Sequence, residues 1–208
     1  MSAPVFRSYD GAAVVIPAHH AAAQLPACLR AVLTAALCVP VPVVIVVVLD
    51  GSDDRSAQLA GEYGQDVHFI GVDVGNAGTA RAVGFGYARS LLGDGAQCWY
   101  ATIDAGRRVH PGWLVRQLEF GADMVWEDRL PGVDMGFSAH AYWRVGGFRT
   151  LGSGADSDLF TRFETAGYAV RRNSDLPAIT SARTPARAPY GFAHRLGSPG
   201  RSVAGDCA

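Results

Sequence analysis

With 49% hydrophobic and only 18% charged side chains over 208 residues, the chain has the composition of one globular domain with a full core, which excludes a disordered protein. A formal charge of −1 gives no electrostatic basis for a nucleic-acid partner or an anionic membrane surface. Every basic residue is Arg, which reads mainly as compositional bias.

Cys28, Cys38, Cys98 and Cys207 form no CxxC pair and no zinc-like spacing, so reduced thiols in a cytoplasmic protein are expected. The N-terminus has no basic start followed by an apolar core, so no signal peptide is expected. The longest apolar run, Val39–Leu49, holds Pro40 and Pro42 and falls well short of the ~20 residues of a membrane span. A soluble protein without a transmembrane segment is expected.

In chain order, Ala12–Pro17 reads as a first buried strand, followed by a loop over Ala18–Ala23. Pro26 suits the first turn of a helix with Leu25, Leu29, Val32, Leu33 and Ala36 on one stripe. Val43–Asp50, VVIVVVLD, is a β-branched run of the kind that forms a parallel strand covered on both faces. It breaks at Asp50-Gly51-Ser52, where open α/β sheets bind ligands; a plain turn with Ser52 or Asp54 capping a helix fits the same residues.

A short helix is expected at Ser56–Tyr63, a strand at Val67–Gly71, and a helix at Gly78–Leu92 that Gly84 and Gly86 weaken. Trp99–Ile103 is a strand ending at Asp104, Pro111–Phe120 a helix and Met124–Trp126 a short strand. A glycine-containing segment, Gly132–Ser138, precedes a helix at Ala139–Val145. Asp158–Ala166 is a helix and Ala169–Arg172 a strand. The tail from Leu176 is rich in Arg, Pro and Gly, and residues 199–208 are expected to be disordered beyond a domain over 1–198.

Alternating strands and helices predict an α/β fold: one three-layer α/β/α domain around a mostly parallel sheet. The first strand–helix junction, Pro17–Ala23, lacks glycine, which argues against an NAD-type dinucleotide fingerprint, and no GxxxxGK[ST] supports a P-loop. Two strands instead end in aspartate, Asp50 and Asp104, on one edge of a parallel sheet.

The series VVIPAHHAAAQLPACLRAVL, VLDGSDDRS, GNAGTARAVG, TIDAGRRVHPGWL, GVDMGFSAHAYWRVGGF and GADSDLFTRFETAGYAV resembles, in order, the family-two glycosyltransferases of the type A nucleotide-diphosphosugar transferase fold. DLPAITSARTPARAPYGFAHRL resembles the C-terminal signature of an actinobacterial branch. The resemblance implies transfer of a sugar from a nucleotide-diphosphate donor to an unspecified hydroxyl acceptor, with inversion.

By the same resemblance, Pro17, Ala18, His19 and Asp50 hold the base and ribose, and Arg81 lines that pocket or faces the diphosphate. Asp104 takes the first place of the DxD motif that positions a divalent cation, magnesium or manganese. Asp156 aligns with the general base, though the bare residues fit a helix cap equally well. Asp134 stands at the edge of the acceptor pocket, Arg183 and Arg187 match an Arg pair able to close over the diphosphate, and His194 is a late metal-ligand candidate. Trp143 and Phe148 read as an apolar wall or as core.

The chain departs from the family pattern at Ala21 and Ala22, at Gly106 in place of the second DxD acid, at Ala155, and in a short span from Glu119 to Gly132. Without these carboxylates, charge neutralisation by a metal and orientation of the base are both weakened. The second reading is therefore a degenerate relative that binds nucleotide or a partner protein without turnover. A nucleotidyltransferase is a third reading, disfavoured by the missing glycine- and lysine-containing N-terminal loop.

Overall fold

A computed structural model describes residues 8–51, 58–94, 97–127, 134–173 and 179–180. Strand β1 (Gly11–Ala18) leads through helix α1 (Leu25–Ala36) to β2 (Val43–Asp50), then a 3-10 turn at Leu59–Gly61 and β3 (His68–Val72). Helix α2 (Ala77–Leu92) crosses to β4 (Cys98–Ile103), a two-residue strand β5 (Arg107–Arg108) and helix α3 (Trp113–Glu119). The chain continues through β6 (Met124–Glu127), β7 (Asp134–Ser138), α4 (Ala139–Arg144), α5 (Ala155–Thr165), β8 (Val170–Asn173) and β9 (Ile179–Thr180).

Among the described residues, seven strands form one sheet in the order β3-β2-β1-β4-β7-β6-β8. Only β7 runs against its neighbours, antiparallel to both β4 and β6. β5 and β9 pair separately as a small antiparallel ladder. The chain leaves β1 toward β2 and returns beside β1 as β4, so the carboxyl ends of β1 and β4 flank the switch point where such sheets bind ligands.

Strand periodicity sorts the apolar runs onto two faces. Ala12, Val14 and Ile16 of β1, Ile45, Val47 and Leu49 of β2, and Trp99, Ala101 and Ile103 of β4 pack with Leu25, Leu29, Val32, Trp113 and Leu114 of α1 and α3. The alternate residues Ala13, Val15, Val46, Val48 and Tyr100 pack with Ala80, Phe85 and Ala88 of α2, Tyr142 of α4, and Leu159 and Phe163 of α5. The uniform valine run of β2 is thus buried from both sides. The expected three-layer α/β/α domain is what forms.

Three local expectations change. Of the segment expected as a helix at Ser56–Tyr63, residues 56 and 57 lie outside the described residues, Gln58 is helical, and a 3-10 turn follows at Leu59–Gly61. Helix α5 begins at Ala155, three residues earlier than expected, because Gly154 at φ 76° turns the chain into it. Gly132–Ser138 contains the fully buried strand β7, which the glycines conceal in the sequence.

Gly84 does not merely weaken α2. A Cβ there would lie 2.5 Å from Val15 Cγ1 and 2.8 Å from Val48 Cγ2, so its absence lets the helix settle onto β1 and β2. That approach sets the height of Arg81, one turn earlier, above the sheet edge. No helix among the described residues is long and apolar enough to cross a membrane.

Candidate active site

The site begins with strand parity. Asp50 follows Val46 and Val48 in phase, and Asp104 follows Tyr100, so both acids belong to the α2 face of the sheet. Their surroundings differ.

The Asp50 carboxylate is 5% exposed and accepts three backbone N–H groups: Val74 (2.8 Å) and Gly75 (3.0 Å) on Oδ1, and Asn76 (3.0 Å) on Oδ2. The main-chain carbonyl of Asp50 accepts from His19 Nδ1, which fixes the Nδ1–H tautomer and ties the end of β1 to the end of β2. Ala18 is buried and Pro17 half-buried at that same end, and His20 follows at φ 47°.

Asn76 continues the chain of support. Its side-chain oxygen caps α2 by accepting Thr79 N–H (2.9 Å), and its amide group donates to the Leu151 carbonyl. Thr79 Oγ1 donates to Thr150 Oγ1 at 2.9 Å. Gly78 allows this closeness, since a Cβ there would meet the Arg149 carbonyl at 2.8 Å and Ala155 Cβ at 2.9 Å. The first turn of α2 therefore packs directly against the start of α5.

That junction brings Arg81 and Asp156 together. Arg81 is 4% exposed, and its guanidinium donates Nη1–H to Asp156 Oδ1 (2.7 Å) and Nη2–H to Asp104 Oδ1 (2.8 Å). Phe148 lies under it, with Cζ 5.4 Å from the ring centroid, and Phe148 is held by its own N–H donating to Tyr142 Oη at 3.1 Å. One cation thus joins a carboxylate after β4 to a carboxylate on α5. The two acids remain open to solvent to different degrees, Asp104 at 42% and Asp156 at 22%.

The electrostatics follow from burial. Burial works against the Arg81 charge, but Asp156 and Asp104 more than offset it and hold the guanidinium above its ordinary pKa. Burial pushes Asp156 up to about 6, with Arg81 pulling down and Asp104 pushing up. A carboxylate with that pKa is a proton acceptor near neutrality. Burial lifts the neighbouring Cys28 thiol to about 12, helped by Asp104, so it stays protonated.

Asp158, the other acid in the first turn of α5, anchors that helix: Arg162 donates to it through Nε (2.9 Å) and Nη2 (2.6 Å) while also reaching the Val145 and Gly147 carbonyls. The other expected residues lie elsewhere. Asp134 is 4% exposed inside a buried polar chain, where its Oδ1 accepts from Trp113 Nε1 (2.8 Å) and Gln117 Nε2 (3.5 Å), and Gln117 in turn accepts from Trp99 Nε1 (2.9 Å). Trp143 packs half-buried beneath the Arg89 guanidinium, 4.9 Å from Cζ to the ring centroid. Arg183, Arg187 and His194 lie outside the described residues.

As a metal site the constellation fits poorly. Among the described residues no group of three or more His, Cys, Asp or Glu side chains could hold an ion. Position 106 is Gly, and the two carboxylates that do meet here, Asp104 and Asp156, both already accept from the Arg81 guanidinium. Reasoning from sequence missed Asn76, Phe148 as a support beneath Arg81, and the Arg81 bridge itself. Of these, only Asn76 had a local signal, as a cap residue three before Thr79.

The family model described as "Glycosyl transferase family 2" matches residues 13–151, which includes Asp50, Arg81 and Asp104 and stops five residues short of Asp156. A comparison with curated proteins gave no match. Among solved structures, the chain is similar to S. aureus TarS 1-349 in complex with UDP-GlcNAc, with a TM-score of 0.69 and 13% identity, over 87% of this chain and 61% of that one. It is also similar to the mannosyltransferase PcManGT from Pyrobaculum calidifontis in complex with GDP-Man and Mn2+, with a TM-score of 0.65 and 17% identity, over 87% and 59%. The chain therefore spans about three fifths of each of these structures, and the likeness establishes the type A glycosyltransferase fold. With two thirds of its length under the family model, this chain belongs to glycosyl transferase family 2.

Proposed function

We propose that the chain transfers a sugar from a nucleotide-diphosphate sugar to a hydroxyl acceptor, with inversion and with Asp156 as general base. The observation that carries this reading is the Arg81 bridge, which fixes a base-competent carboxylate from α5 beside the strand-end acid of β4 at the switch point.

In this reaction the acceptor hydroxyl gives its proton to the Asp156 carboxylate as its oxygen attacks the anomeric carbon. The bond from that carbon to the diphosphate breaks, and the diphosphate leaves with the electron pair. Arg81 orients the base and places positive charge where negative charge develops, an interaction typically worth about 10²–10³ in rate. Arg183 and Arg187 are assigned to the departing diphosphate. His19, Pro17 and Ala18 are assigned to the base and ribose, as is the loop 73–76 that Asp50 holds. Support for a nucleotide-sugar donor comes from the family and from the UDP-GlcNAc and GDP-Man complexes of its structural relatives.

Binding without turnover is the second reading, favoured by the single carboxylate where the family pattern has two. Incubating the protein with a panel of UDP- and GDP-sugars and following release of the nucleoside diphosphate separates the two. Release above background with at least one donor supports the enzyme. Nucleotide binding without release from any donor, tested with a panel of hydroxyl acceptors, supports the second reading.

A further inference from the structure

We infer that this site handles the donor diphosphate without a divalent cation, with the Arg81 guanidinium taking the metal's role beside Asp104. The inference rests on the nucleotide-sugar reading above and goes further by leaving the divalent cation out of the site.

Four observations carry it. First, the residue two places after Asp104 is Gly106, so this segment offers one carboxylate to an ion, and among the described residues no wider cluster completes a coordination shell. Second, Asp104 Oδ1 is already engaged by Arg81 Nη2 at 2.8 Å, so an ion on that carboxylate would sit against a permanent positive charge. Third, the guanidinium is not free to swing away. It is 4% exposed, bonded to Asp156 as well, backed by Phe148, and carried on a helix seated on β1 and β2 through Gly84. Fourth, its Nε–H is buried and has no hydrogen-bond partner among the described residues, which supply that donor with no acceptor.

Arginine is also a chemical match for phosphate oxygens. With Nη1–H given to Asp156 and Nη2–H to Asp104, the charge stays fixed between the two acids and Nε–H is the donor left over.

The test is calorimetric titration of UDP and of GDP into the full chain, once in EDTA and once with excess manganese. Affinities that agree within about threefold, against the tenfold that 1.4 kcal/mol represents, are the expected result. Binding that tightens tenfold or more with manganese overturns the inference and leaves the nucleotide-sugar reading standing. No binding of either nucleotide in either condition overturns that reading, and the inference with it.

A second measurement uses Mn2+ alone, followed by its EPR signal. The wild-type chain is expected to leave the ion free at micromolar concentrations, and Gly106→Asp is expected to bind it. Position 106 is not among the glycines at positive φ, so an aspartate there meets no backbone strain of that kind. Micromolar Mn2+ binding by the wild-type chain overturns the inference whatever the variant does.

Discussion

Asp50 and Asp104 leave the same edge of the sheet on the same face, one at the end of β2 and the other just past β4, yet their oxygens are used in different ways. Asp50 is closed off: three backbone amides satisfy it, and what it organises is the loop that caps α2. Asp104 is open: among the described residues its carboxylate has one side-chain partner, and nearly half of it faces solvent. The difference teaches that a strand-end acid is a structural device when its partners are backbone and a chemical one when its partners are side chains with a second client. Here the second client of Arg81 is Asp156.

The strongest way to break this contrast is to remove the shared cation. Arg81→Met is expected to lower turnover by about 10²–10³ and to weaken UDP binding, while circular dichroism at neutral pH stays that of a folded α/β protein. A variant with normal kinetics would make the bridge ornamental.

Asp50→Ala sharpens the other half. Three backbone N–H groups lose a charged acceptor, which is expected to cost about 3 kcal/mol, and a chain of this length then melts about 6–12 °C lower. If the melting temperature holds while UDP binding disappears, Asp50 is a direct ligand contact and the contrast fails.

The pH dependence sets Asp156 apart from both. Its folded-state pKa of about 6 lies above the ordinary 3.8, so the folded chain binds more protons than the unfolded one between those values. Its contribution to stability is therefore most favourable below that window and declines as pH rises through it. Turnover moves in the opposite sense: kcat/KM should climb as pH rises through about 6 and then level off. A pH–rate profile flat across pH 5–7 would remove the base from Asp156.

The smallest effect is expected at Asp158. It is 24% exposed and paired with Arg162 one helical turn away, and Asp158→Asn should cost about 1 kcal/mol or less with kinetics unchanged. A large loss of turnover there would mean that the second acid of α5 takes part in the chemistry.

Much of the fold was legible because strand parity and strand-end acids are local properties. VVIVVVLD states its own burial, and the phase of Asp50 and Asp104 follows from counting by two. Strand β7 was not legible, for a packing reason. Gly136 lies where a Cβ would come within 2.2 Å of Gln117 Oε1 and 2.7 Å of Trp99, so the residue that hides the strand is required by its neighbours. The site was legible in its members and not in its wiring. Arg81, Asp104 and Asp156 could each be singled out in the sequence, but their meeting depends on α2 sitting low on the sheet at Gly84 and touching α5 at Gly78. Asp134 shows the converse: a residue expected at the acceptor edge is bonded instead to Trp113 and Gln117 in the interior, contacts that no spacing rule anticipates.

The central claim is that Asp156, held by Arg81, is the base of a sugar transfer. It is tested most directly by Asp156→Asn, measured for nucleotide affinity and for turnover on the same preparation with a donor the wild-type chain accepts. UDP or GDP affinity is expected within a few-fold of wild type, with turnover lower by about 10²–10⁴. Full turnover in the variant would contradict it.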